Sequence, residues 1–263
     1  MKIAYRIVED TFPTNPREDH DHLSRFIADH PRMDIGDKEA EERLEISIVR
    51  YANLQPRDTE KYHWDDESSD HYILDSVEKM LEKAMEENIV VAYKPLYVYE
   101  HGGITISTEP FSCPWDSGQI GWAYVLYEDA KEWHLSGDVE TLREKAMNSL
   151  LLEVEEYDQY LRGDVWGAVV TEDGDEIDSV WGLYGRDYAE KEAESLAVYH
   201  YQSVKSGLEK NLSEFRKRRT DLVKTLIRNR VPQWAREERL REVNEEIEET
   251  EDLLANLSVE MED

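Results

Sequence analysis

A chain of 263 residues carries 61 Asp and Glu against 31 Lys and Arg, for a formal charge of −30. So negative a surface repels DNA, RNA and anionic membranes and attracts proteins built to hold polyanions, which excludes direct nucleic-acid binding as a leading function. Seven Trp, fifteen Tyr and 40 % hydrophobic residues suffice for a packed core, the single Cys113 excludes an intrachain disulfide framework, and no apolar run approaches the ~18 residues of a membrane span.

The opening MKIAYRIVED shows no basic-then-apolar signal pattern, so the chain reads as a cytoplasmic protein of a reducing compartment. Residues 2–8 have the β-branched content of a first strand. The stretch TFPTNPREDHDH is a loop, LSRFIADH fits a short helix, and EISIVRY (45–51) fits another strand. Residues 53–70 read as an exposed loop. Over 71–88, Ile73, Val77, Met80, Leu81 and Ala84 fall on one helical face, with Asp70 as N-cap. Strands 90–100 and 104–108 flank the hairpin signal His101-Gly102-Gly103, and 119–127 is a strongly apolar strand. Residues 139–161 form a long helix with Leu142, Ala146, Leu150 and Val154 in line. Asp173-Gly174 between two strand-like runs requires a tight hairpin turn.

From Asp187 the pattern turns to heptads, through Leu208, Leu212, Phe215, Arg219, Leu222 and Leu226. It resumes through Leu240, Val243, Ile247, Thr250, Leu254, Leu257 and Met261, with Pro232 in the first turn of the second helix. The expected fold is therefore α+β: a central antiparallel sheet with packed helices over residues 1–190, then an antiparallel helical, coiled-coil hairpin over 191–263. Residues 205–241 hold 12 basic and 5 acidic side chains, whereas 242–263 hold no basic and 10 acidic ones. Folding about residue 231 lays Lys210, Arg216, Lys217, Arg218 and Arg219 beside acidic 242–252. A basic prong of Arg228, Arg230 and Arg236 at the tip is the alternative use of those cations.

The loop FSCPWDSGQ places a thiol, a carboxylate and a hydroxyl within a few residues, with His101 just upstream. Cys113 as nucleophile, His101 as base and Asp116 as its orienting acid would make a catalytic set; a recognition surface and a rigid turn are the alternatives. His20 and His22 with Asp19 and Asp21, followed by His30, Asp34 and Asp37, offer metal-ligating atoms. Their spacing matches no closed zinc pattern, so no metal is expected. With no Gly-rich phosphate loop, nucleotide-binding fingerprint or nucleophile-elbow serine, no cofactor is expected either. Trp115, Trp122, Trp166, Trp181, Tyr97 and Tyr99 fall at strand positions and read as core.

Four strings together resemble a family of uncharacterised proteins of bacteriophages, archaeal viruses and mobile elements. They are Asn15-Pro16-Arg17 with Asp21-His22-Leu23; HPRMDIGD (30–37); YVYEHGGITISTEPFSCPWDSGQIG (97–121); and EEYDQYL with GDV and DSVWGLYG (155–185). The resemblance covers residues 1–190, departs at Met33 and Val180, and implies a viral or mobile-element source but no activity. Source and charge together suggest a non-enzymatic DNA mimic, an anti-restriction or anti-CRISPR type inhibitor of a host nucleic-acid-binding defence protein in the host cytoplasm. The carboxylates standing in for phosphates would be Asp65, Asp66 and Glu67; Glu82, Glu86 and Glu87; Glu153, Glu155 and Glu156; and Glu245, Glu246, Glu248 and Glu249. The alternatives are a Cys113-centred enzyme acting on a nucleotide signal or a protein, and a coiled-coil adaptor, with a homodimer possible in any case. General acidity as an adaptation to high salt is the bland reading of the same charge.

Overall fold

The β-branched and aromatic side chains of KIAYRIV suit the first strand, β1 (Lys2–Glu9), whose partners come from the far end of the chain. The computed structural model describes residues 1–19, 21–51 and 70–262. These fall into two compact units, one of residues 12–164 and one of residues 1–11 with 165–263. The structure is a mixed α+β one with antiparallel-rich sheets.

The 12–164 unit starts with the short helix α1 (Pro16–Asp19), strand β2 (Arg25–Ala28) and helices α2 (Ala40–Tyr51) and α3 (Asp70–Glu86). Strands β3 (Val90–Glu100), β4 (Ile104–Ser107) and β5 (Ser117–Leu126) follow, then α4 (Tyr127–Glu132) and α5 (Val139–Arg162). The sheet order is β2-β5-β3-β4, antiparallel throughout. Both sheet faces are buried, and period-2 alternation sorts the side chains between them. Phe26, Ala123 and Val125 meet the α5 stripe Leu142, Ala146, Leu150, Val154 and Tyr157. Ile27, Trp122, Tyr124 and Leu126 meet Leu44 of α2 and Val77, Leu81 and Ala84 of α3. α5 is capped at both ends: Asp138 accepts the Thr141 N–H at 2.8 Å, and Gly163 closes the helix at φ 72°.

Two sequence expectations change here. LSRFIADH contains a strand rather than a helix, because Phe26 and Ile27 serve opposite faces and the backbone pairs with β5 from Arg25↔Tyr124 to Ala28↔Gly121. EISIVRY lies in a helix rather than a strand. Ala40 and Leu44 before it and Ser47 within it are buried at i, i+4 and i+7, and that packing overrides the β-branched content of the segment. Residues 53–69 of the expected loop, and the side chain of Asp70, lie outside the described residues.

The other unit adds β6 (Val165–Glu172), β7 (Asp175–Tyr184), the helices α6 (Arg186–Arg228) and α7 (Gln233–Ala255), and β8 (Ser258–Met261). The sheet order is β7-β6-β1-β8, with β1 antiparallel to β6 and parallel to β8. Asp173 and Gly174 both take positive φ, 51° and 95°, which gives the hairpin turn the sequence required. Ala189, Ala193 and Ala197 present small side chains every fourth residue, so α6 lies close on β1 and β6. That stripe moves the boundary expected at residue 190. α6 is continuous across it, and β1 belongs with 165–263. The heptad reading also overruns: the helix stops at Ala255, Leu257 turns inward, and Ser258–Met261 pair with Lys2–Tyr5. Pro232 sits at the N-cap, one place before α7.

Candidate functional site

The loop between β4 and β5 brings the three proposed catalytic groups together, but in an unhelpful order. Asp116 Oδ2 lies 3.6 Å from Cys113 Sγ and 3.4 Å from His101 Nδ1, so the carboxylate stands where the base should be. Nucleophilic catalysis by a thiol needs a base such as the imidazole at the sulfur, and the group that touches Cys113 Sγ is the Asp116 carboxylate. Ser117 Oγ donates to Cys113 O at 2.5 Å, and Tyr99 stacks with His101 and packs on Phe111. These contacts favour a braced turn. At its apex Trp115 is 91 % exposed, contrary to the expectation of core. Trp181 is exposed as well, lying over Gly167, whereas Trp122 is buried and Trp166, Tyr97 and Tyr99 are half-buried.

The carboxylate candidates divide by what they touch. Asp65, Asp66 and Glu67 lie outside the described residues. Glu82, Glu86 and Glu87 are exposed at the end of α3, and Glu155 is exposed on α5; Glu156 is half-buried with a partner. Glu153 is not a surface charge. It accepts the Leu23 and Ser24 N–H groups at 2.9 Å each and the Ser24 hydroxyl, and it pairs with Arg17. On α7, Glu246 pairs with Arg218 at 3.0 Å and Glu251 with Arg216 at 2.6 Å, while Arg219 donates to Asn244. Glu245, Glu248 and Glu249 remain exposed, together with Glu238 and with Glu242 and Asp252, which the sequence reading counted among the acids laid beside the basic helix. Of the proposed prong, Arg236 donates to Val231 O, and Arg228 and Arg230 are exposed.

The structure also assembles a site that sequence reasoning only skirted. Asn15 Oδ1 accepts the Arg17 N–H and so starts α1. Arg17, 5 % exposed, then forks onto Asp37 (Nε–Oδ1 3.2 Å, Nη2–Oδ2 2.5 Å) and donates to Ser24 O. Its guanidinium lies 3.9 Å above the Phe26 ring. Asp37 in turn accepts the Phe26 N–H at 2.8 Å. One cation thus joins the NPR string, the HPRMDIGD string and helix α5. His22 beside it is pushed below the usual imidazole range, first by burial and then by the Arg17 charge. His30 pairs with Glu100 at 3.0 Å. Among the described residues, no three His, Cys, Asp or Glu gather as a metal would need.

Two cavities flank residues 34–38. One, of about 450 Å³, is lined by Arg17, His22, Arg25, Lys38 and Arg43 together with acidic residues, and Arg25 and Arg43 close on the buried Asp129. The other, of about 510 Å³, lies against β2, β5 and Val77 of α3. Cys113 lines neither. No protein-family model, curated protein or solved structure matches this chain.

Proposed function

We propose that this is a non-enzymatic acidic decoy, encoded by a virus or mobile element, that occupies the cationic groove of a host nucleic-acid-binding defence protein of the restriction or CRISPR type. The observation that supports it is a stripe on α7. Glu238, Glu242, Glu245, Glu249 and Asp252 recur at i, i+4, i+7, i+11 and i+14, and all five are exposed. They project opposite the face that buries Val243 and Thr250. Five charges over roughly 21 Å of helix give one per ~5 Å, against one per ~3.4 Å along a DNA strand. Arg241, 3.9 Å from Glu245, offsets little of this, because the pair is exposed. The stripe needs a stiff support, and we read α6 and α7 as an antiparallel coiled-coil hairpin held in register by Arg216–Glu251 and Arg218–Glu246.

Replacing Glu242, Glu245 and Glu249 by Gln removes three charges and leaves the interhelical pairs alone. With each carboxylate treated as a phosphate, binding to the host target should weaken about 100-fold at 0.15 M salt, and its salt slope should fall by roughly three. The assay is capture from host lysate with duplex DNA as competitor. Recovery of no DNA-binding protein, or a triple variant that captures as well as the parent, would sink the idea.

A second reading, an adaptor docking through the α6–α7 turn, is supported by Trp234 and Ile227, which are 71 % and 54 % exposed. It requires that Trp234→Ala abolish capture while the charge variant does not.

A further inference from the structure

The turn between α6 and α7 concentrates cations in a chain of charge −30. Residues 222–236 hold four basic side chains, Lys224, Arg228, Arg230 and Arg236, and no acidic one. Arg228 and Arg230 are exposed and meet no carboxylate among the described residues, whereas Arg236 braces the turn through Val231 O. The exposed Ile227 and Trp234 stand among them. Of the neighbouring acids, Asp221 holds Lys224 at 3.6 Å, Glu237 accepts from Gln233 at 3.1 Å, and Glu238 begins the acidic stripe.

The backbone singles out Arg230. Val231 N–H donates to Leu226 O and Arg230 N–H to Ile227 O, each at 3.0 Å, which closes α6 with a Schellman turn. Arg230 therefore takes φ 53° at the place where glycine is usual. The other non-glycine residues with positive φ among those described, Asn88, His134 and Asp173, belong to the types that enter this region most readily, and arginine does not. A turn that would be more stable with glycine thus carries an exposed guanidinium instead, the kind of local cost that accompanies a binding role.

The turn also stands clear of the sheet in its own unit. The last α6 residue in the core around Ile3 and Val170 is Val204, and Arg228 lies roughly 36 Å further along the helix. Charges are screened over ~8 Å at physiological salt, so the acids around that sheet do not govern what the turn meets. Guanidinium groups beside an exposed indole and a branched aliphatic chain match an anionic lipid surface. There the cations meet headgroup phosphates and carboxylates, the indole seats at headgroup level, and the aliphatic chain reaches apolar surface. A nucleic acid would use the cations, but an aliphatic side chain finds apolar surface there only where the bases are forced apart.

We infer that the α6–α7 turn docks on an anionic lipid surface, with Arg228 and Arg230 on headgroups and Trp234 and Ile227 in the interface. The docking needs neither the acidic stripe nor a host protein, so it stands apart from the decoy reading. It gives to lipid the surface that the adaptor reading gives to a protein.

Flotation of the full chain with mixed phosphatidylcholine–phosphatidylserine vesicles tests this. Binding should be saturable at ~0.15 M salt, fall as salt is raised, and be at least about tenfold weaker on phosphatidylcholine alone. Arg228→Gln combined with Arg230→Gln should weaken it roughly 30-fold. Arg230→Gly should weaken it about fivefold while raising the melting temperature, because glycine relieves the turn. Brominated phosphatidylcholine in the vesicles should quench tryptophan emission of the parent, and Trp234→Phe should show no such quenching. Equal binding to phosphatidylcholine alone, full binding by the double arginine variant, or quenching that persists in Trp234→Phe would overturn the lipid site. Displacement by millimolar glycerophosphoserine would mean a site for a free phosphate rather than a surface. Duplex DNA that binds the parent more tightly than the vesicles do, and is lost with the same two arginines, would assign the turn to nucleic acid instead.

Discussion

Arg17→Met is expected to lower the stability of the 12–164 unit by about 3–5 kcal/mol, the range for removing one member of a buried ion-pair cluster. Size is not the reason, since Met fills much of the same space. Asp37 and Glu153 are only 19 % and 16 % exposed and would be left facing each other's charge without the guanidinium. They could not turn outward freely. Asp37 holds the Phe26 amide, and Glu153 holds those of Leu23 and Ser24, so moving either acid frees backbone donors at the start of β2. Urea denaturation would measure the loss. A double-mutant cycle with Asp37→Asn should return a coupling of about 1–3 kcal/mol, because the two side chains form one unit. Glu155→Gln, two residues beyond Glu153 on an exposed face of α5, should change stability by less than about 0.5 kcal/mol. Equal effects of Glu153→Gln and Glu155→Gln would contradict the division between structural and surface carboxylates.

Local chemistry strong enough to act alone was legible in the sequence. Asp173-Gly174 dictates its turn because both residues tolerate positive φ, and α5 shows its apolar stripe of Leu142, Ala146, Leu150 and Val154 in one continuous string. Segments whose state is set from outside were not legible. β2 is four residues long, and what makes it a strand is β5, which lies about a hundred residues away. α2 contains β-branched residues that would suit a strand, yet the apolar floor offered by Trp122 and Tyr124 selects a helix. β8 has no strand signal of its own and takes its conformation from the exposed edge of β1. Site reading failed along the same line. The acids of α7 stand in one sequence run, but only the helix shows which are paired across to α6 and which project away. Glu153 looked like one more surface acid among Glu155 and Glu156, and the Ser24 and Arg17 contacts that remove it from that set are non-local. One signal for the charged cluster was present: an Asn-Pro-Arg string and a Gly-Asp string, which lie on either side of β2 in the sequence.

Gly121→Ala should be as damaging as the loss of Arg17, and for a steric reason. A β-carbon there would sit 1.9 Å from Ile27 O and 2.6 Å from Ala28 Cα. Both neighbours are backbone atoms of β2, so no rotamer change clears the space, and the strand itself must shift. That costs about 3 kcal/mol or more, at the upper end of overpacking penalties, because the displaced ladder includes the Ile27↔Trp122 and Ala28↔Gly121 pairs. The conformation of Gly121 is not the issue, since its φ is not in the left-handed region. Gly118, in the same strand, supplies the control. A β-carbon there meets nothing within 4 Å, so Gly118→Ala should be neutral or stabilising by up to about 1 kcal/mol through the unfolded chain. Urea denaturation compares the two. Retention of full stability by Gly121→Ala would mean that β2 does not lie against β5 at this register, and both the ion cluster and the cavity would then lose the strand on which they are built.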